Sequence, residues 1–185
     1  MYRLFVALEL PETITRELVS ISYGVPGARW LEPEQMHLTL RFIGEVDGGV
    51  FRDVAAALME IEEPAFDLTL RGVGFFPPRN HPHDLWVGVE KNDALVHLRN
   101  KIESRLVRAG LTPESRKFVP HVVIARLKET KLNKLADFLA RNSLLHLQPF
   151  TISGFNLYSS HLGSRGASYE IEQEYQLTAR RDTPV

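Results

Sequence analysis

His37-Leu38-Thr39-Leu40-Arg41-Phe42-Ile43-Gly44 reads as a strand carrying an imidazole, and His121-Val122-Val123-Ile124 repeats its opening about half a chain length later. Side chains alternate between the two faces of a strand. His37 and Thr39 therefore share one face, and Leu38 and Leu40 share the other. The second segment sets His121 and Val123 against Val122 and Ile124 in the same way. One face enters a core, and the other presents to a cleft a group that titrates near neutral pH. Two such strands facing each other supply a paired acid and base. On a regular strand Arg41 joins the face of His37, and Phe42 turns toward the core.

Helices and strands interleave around these two segments. Residues 2–10 read as a buried strand closed by Pro11, and Ile14, Leu18, Val19 and Ile21 give a helical stripe after it. A short strand spans 28–31, and the first motif strand spans 36–43. Helical periodicity follows over 50–61, and alternation predicts one strand over 66–75. Residues 77–83 are rich in breakers. A further strand spans 85–89, and the second half echoes the first, with a helix at 94–109, the second motif strand at 119–127 and a helix at 131–142. Strands at 150–157 and 169–177 close the chain, and the polar tail from Thr178 reads as frayed. The pattern gives two similar α+β lobes around a shared cleft, within one bilobal domain of residues 1–185.

The 185 residues carry a formal net charge of -1, which argues against a broad electrostatic surface for nucleic acid but leaves room for a local phosphate site. The chain has no cysteine, so disulfides, thiol nucleophiles and thiolate metal sites are excluded. The apolar run at the N-terminus stops at Glu9 without a small-residue cleavage site. No segment approaches the roughly 20 apolar residues needed to cross a bilayer. The expectation is a cytoplasmic, monomeric protein with no membrane association.

The chain resembles the two-histidine phosphoesterases, in particular the RNA 2′,3′-cyclic phosphodiesterases also called 2′-5′ RNA ligases. The resemblance rests on Arg3-Leu4-Phe5-Val6-Ala7-Leu8, on Trp30 ahead of His37–Glu45, and on Gly72-Val73-Gly74-Phe75-Phe76-Pro77. It continues through Leu85-Trp86-Val87-Gly88-Val89, Phe118–Arg126 and Leu157-Tyr158-Ser159-Ser160. It implies an α+β, bilobal fold with an antiparallel sheet and helices in each lobe and the active-site cleft between them. It also implies hydrolysis of the 2′,3′-cyclic phosphate at an RNA end to a 2′-phosphomonoester, with reverse 2′-5′ joining as a secondary activity and with neither metal nor cofactor. His37 would be the general acid toward the leaving oxygen and His121 the general base. Thr39 would donate to a phosphate oxygen, and Arg126 would pack against the nucleobase.

The family motif is H-x-T-apolar twice, and here Val123 stands at the second threonine. The shape is kept and a donor is lost. One such hydrogen bond is worth about 0.5–1.5 kcal/mol, which predicts a weaker site and not a dead one. Arg41 and Tyr158 are further candidates for substrate contact. Arg116 and Lys117, just ahead of the second motif, either attract RNA phosphates or form a solvated turn. His81 and His83 resemble half a metal site but read better as a solvated loop. Trp30 and Trp86 read as core or cleft wall, and His97 as surface. Two rival functions stay open. One is a phosphodiesterase for 2′-5′ oligonucleotides or small cyclic nucleotides, and the other is an RNA-end-binding module with a weakened site.

Overall fold

The computed structural model of the protein describes residues 1–77, 82–163 and 166–180. Its strands are β1 (Tyr2–Glu9), β2 (Ala28–Trp30), β3 (His37–Val46), β4 (Phe66–Leu68), β5 (Leu70–Phe75), β6 (Asp84–Val89), β7 (His121–Leu127), β8 (Phe150–Ile152), β9 (Gly154–Gly163) and β10 (Gly166–Gln176). Its helices are α1 (Glu12–Ile21), α2 (Gly48–Met59), α3 (Asp93–Arg108) and α4 (Leu132–Arg141), with a 3-10 turn over Pro33–Gln35. Local chemistry sets the helix starts. Asp47 accepts from the amides of Gly49 and Val50 at the head of α2, and Asn92 accepts from Leu95 N at the head of α3. Each satisfies amides that a helix leaves unpaired at its first turn.

The main sheet runs β10-β9-β1-β3-β7-β6-β5, with β2 also paired to β7, and its recorded pairings are antiparallel. It consists of two blocks, β10-β9-β1-β3 and β5-β6-β7-β2, which meet where Leu38 pairs with Val122. Leu38 and Val122 are fully buried, as are Leu8, Leu58, Leu98, Ile124 and Phe138, and together they form one apolar core. Leu4 to Leu8 are all buried, because β1 is a central strand covered on both faces.

The blocks are not the two halves of the sequence. β5 and β6, from the first half, join the sheet through β7, and β9 and β10, from the second half, join it through β1. The alternation over 66–75 is accordingly two strands. β4 pairs with β8 in a small second sheet, and after Thr69 the chain changes partner to β6. The strand expected at 150–157 is likewise split into β8 and a longer β9. Thr178 is not frayed, since its N–H donates to Glu63 O and its carbonyl accepts from Ala65 N.

Candidate active site

β3 and β7 carry matched irregularities. Against β1, Val6 faces Arg41 and Ala7 faces Thr39, so Leu40 is the extra residue of a β-bulge. Against β6, Leu85 faces Ala125 and Trp86 faces Val123, so Ile124 is extra at the same place in the second motif. Burial follows suit. From each histidine onward the order is half-buried, buried, half-buried, buried, buried, exposed. Each bulge therefore buries two successive residues and returns the next one, Phe42 or Arg126, to the face of the histidines.

This corrects two expectations. Arg41 does not share the open face of His37. It is buried, its Nε donates to Glu103 Oε2 at 2.6 Å, and its terminal nitrogens donate to the carbonyls of Phe42 and Thr112. A guanidinium with these obligations ties β3 to the α3–β7 connection. Phe42 is not core. It is 39% exposed, with the Arg3 guanidinium 5.3 Å from its ring centroid. The signal was present in the sequence, since Phe42 stands at the same offset from His37 as Arg126 does from His121.

The Leu38–Val122 pairing puts His37, Thr39, His121 and Val123 on one face of the joined sheet. Two cavities open there and share Thr39 and Phe42. One, of about 370 Å³, lies beside His37 and is lined also by Arg3, Arg29, Arg126 and Tyr169. The other, of about 430 Å³, lies beside His121 and is lined also by Phe76, Asp84, Arg99, Arg116, Lys117 and Phe118.

Each imidazole is held by the backbone two residues before it. His37 hydrogen-bonds the backbone of Gln35, and His121 Nδ1 donates to Val119 O at 2.6 Å. A carbonyl can only accept, so in neutral His121 the proton sits on Nδ1 and the lone pair on Nε2. The surroundings of the two rings differ. His37 lies among aromatics, with Phe5 stacked at 4.9 Å and Tyr169 edge-on at 5.0 Å. Tyr158 is buried behind them, 6.1 Å from His37 by ring centroids and stacked on Phe5. Burial, with the nearby charges of Arg126 and His121, lowers the His37 pKa to about 4 against the opposing hydrogen bond to Gln35. Burial also lowers the pKa of His121, but there Asp84 pulls the other way together with the Val119 carbonyl. Both shifts favour the neutral ring, that of His37 more strongly.

Arg126 is flanked in register by Asp84 on β6 and Arg29 on β2, and its Nη1 meets Asp84 Oδ1 at 2.5 Å. Val123 lies opposite Trp86, whose indole covers Gly74. A Cβ on Gly74 would come within 2.4 Å of that ring, so only glycine fits. Trp30 packs on Phe138 at 5.8 Å, and His97 is exposed beside Glu63. Of the loop pair, His81 lies outside the described residues and His83 is exposed. Among the described residues no three His, Cys, Asp or Glu side chains gather as metal ligands, and no helix is long and apolar enough to cross a membrane. The sequence reading did not anticipate Asp84, Arg3, Arg29, Arg99, Phe76 or Tyr169 as site residues. They come from β1, β2, β6, β10, α3 and the residue after β5, none of which carries a histidine motif of its own.

The chain is similar to proteins of known family throughout its length. The family described as LigT like Phosphoesterase matches twice, over residues 8–86 and 87–169. An RNA 2′,3′-cyclic phosphodiesterase of Thermotoga maritima is 32% identical, with 95% of each chain covered. One from Aeropyrum pernix is 35% identical over 84% of this chain and 89% of its own. Among solved structures, Escherichia coli LigT complexed with 3′-AMP superposes with a TM-score of 0.78 at 23% identity, covering 96% of this chain and 98% of that one. A Thermus thermophilus protein gives the same TM-score of 0.78 at 25% identity, covering 97% of this chain and 100% of that one. The double match falls on the two bulged histidine strands, one in each half, and the chain belongs to the LigT like phosphoesterase family.

Proposed function

We propose that the protein hydrolyses 2′,3′-cyclic phosphate at the end of RNA to a 2′-phosphomonoester, with two-histidine acid–base catalysis. The observation that carries this reading is that two backbone-anchored imidazoles and the Thr39 hydroxyl share one sheet face, where a cavity of about 370 Å³ opens. The RNA 2′,3′-cyclic phosphodiesterases of Thermotoga maritima and Aeropyrum pernix support it. One imidazole takes a proton from water as the oxygen attacks phosphorus. The other gives a proton to the 3′-oxygen as its bond to phosphorus breaks. Each transfer contributes about 10²–10⁴-fold. By resemblance His37 gives and His121 takes. Where a 5′-hydroxyl takes the place of water in the same attack, the bond from phosphorus to the 3′-oxygen again breaks and a 2′-5′ linkage forms.

Arg126 and Phe42, which occupy equivalent positions in the two motifs, would hold the terminal base. A guanidinium and an aromatic ring each stack on a nucleobase without reading its identity. Thr39 would bond a phosphate oxygen, with no matching hydroxyl at Val123. The valine keeps a second reading alive, an RNA-end-binding module with little turnover. Product analysis on a short RNA ending in a 2′,3′-cyclic phosphate separates the two. Release of a 2′-phosphate end, lost in His37→Ala and His121→Ala, upholds the enzyme. Tight binding with intact cyclic phosphate at saturation overturns it.

A further inference from the structure

The larger of the two cavities meets the proposed reaction only at its rim, through Thr39, Phe42, Asp84 and His121. At about 430 Å³ it far exceeds the ~30 Å³ share of one water, and the terminal nucleoside is accounted for on the His37 side. Its lining is basic and aromatic. Its carboxylates are already engaged: Asp84 pairs with Arg126, and Glu114 is chelated by Arg116, which holds its carboxyl down to about 2, with Arg41 at 3.7 Å. Two cations are left over. Lys117 is exposed and has no ion-pair partner among the described residues. Arg99 is mostly buried, reaches Glu103 only at 4.0 Å and Asn100 Oδ1 only at 3.5 Å, and keeps its Nε buried without a hydrogen-bond partner. Buried polar groups without partners are rare in folded proteins. The Arg99 guanidinium lies 5.5 Å from the Phe118 ring centroid, and Phe76 meets His121 edge-on at 4.6 Å. Cations beside half-buried aromatic rings are the composition of a groove for single-stranded nucleic acid.

We infer that the His121-side cavity is a second subsite, in which Arg99 and Lys117 bind the sugar–phosphate of a nucleotide other than the one carrying the cyclic phosphate. The inference rests on the proposed function, since it places that second nucleotide relative to the cyclic phosphate. The nucleotide is either the penultimate one of the same strand or the 5′ end of a second strand. Both present the same chemistry, a phosphodiester next to a ribose.

The test compares kcat/KM for adenosine 2′,3′-cyclic phosphate and for a dinucleotide ending in it, in the wild type, Lys117→Glu and Arg99→Gln. A dinucleotide preference of about tenfold that falls toward one in both variants upholds the subsite and assigns it to the same strand. A ratio near one, with mononucleotide hydrolysis inhibited by a 5′-hydroxyl dinucleotide and that inhibition weakened in Lys117→Glu, upholds it and assigns it to a second strand. A ratio near one without such inhibition overturns it. Calorimetry reads the subsite even if nothing turns over, which is the failure of the proposed function and not of this inference. Lys117→Glu weakening a dinucleotide 3′-phosphate about tenfold more than 3′-AMP upholds the subsite, and equal effects on both overturn it.

Discussion

Leu38 and Val122 pair across β3 and β7, and both are fully buried. In that register His37 falls opposite Val123 and Thr39 falls opposite His121. The two imidazoles are thus diagonal neighbours, and each faces the partner motif's third residue. The apolar contact below holds the catalytic face above. Its loss would separate the blocks as well as open a cavity, and truncating a buried leucine costs about 2–5 kcal/mol.

His37→Ala and His121→Ala should each lower kcat on a cyclic-phosphate end by at least about 100-fold, because each removes one proton transfer. Both rings are only half-buried, so the variants should remain folded. Circular dichroism and initial rates on the same preparations check this. Rates within a factor of a few of wild type in a folded variant would remove that histidine from the mechanism.

Val123→Thr should raise kcat/KM, by up to about tenfold, the equivalent of one hydrogen bond. The side chain shares the face of His37, and threonine keeps the valine shape. Steady-state rates on the cyclic-phosphate RNA decide it. A clear loss would mean that Trp86, opposite in register, packs in a way that excludes the hydroxyl.

Much of this site can be read from residues alone, and the rest fails for one physical reason. The alternation in His37-Leu38-Thr39-Leu40 places the imidazole and the hydroxyl correctly, because those residues precede the bulge. Beyond it the same rule puts Arg41 and Phe42 on the wrong faces, since an extra residue reverses every later side chain. The strand exchange is illegible for a related reason. β5 and β9 have ordinary strand patterns, and nothing in Leu70–Phe75 or Gly154–Gly163 names the partner strand. That choice is made by the whole core.

The two histidines should titrate differently. His37, lowered to about 4 by burial and by the charges of Arg126 and His121, should be the more acidic, and His121, with Asp84 beside it, should be lowered less. The profile of kcat/KM reports free-enzyme groups, so both limbs of its bell should fall below the ordinary imidazole value of about 6.5. Inorganic phosphate should raise both, since an anion between two imidazoles favours their charged forms. Proton NMR of the two rings, with and without phosphate, measures this. If His37 stays the weaker base in the complex, the acid and base roles taken from the family are exchanged. A stability effect follows from the same shift. Between pH 6.5 and 4 the unfolded chain binds the His37 proton more readily than the folded one. Stability should therefore fall as pH drops through that window. Urea unfolding should find this acid loss reduced in His37→Leu.

Asp84→Asn tests a positioning residue. Asp84 holds the Arg126 guanidinium and is the nearby negative charge that favours protonated His121. It occupies the strand position matched in the other block by Phe5, which stacks on His37. Neutralising it should have two effects. Arg126 loses its anchor, so KM for a nucleotide substrate should rise several-fold. His121 loses the favourable charge while Arg126 still opposes protonation, so its pKa should fall further. The kcat/KM limb set by His121 should then move to lower pH, while the limb set by His37 moves little. A merely structural aspartate would change the height of the bell without changing its position. A profile of unaltered position, with KM unchanged, would take Asp84 out of the site.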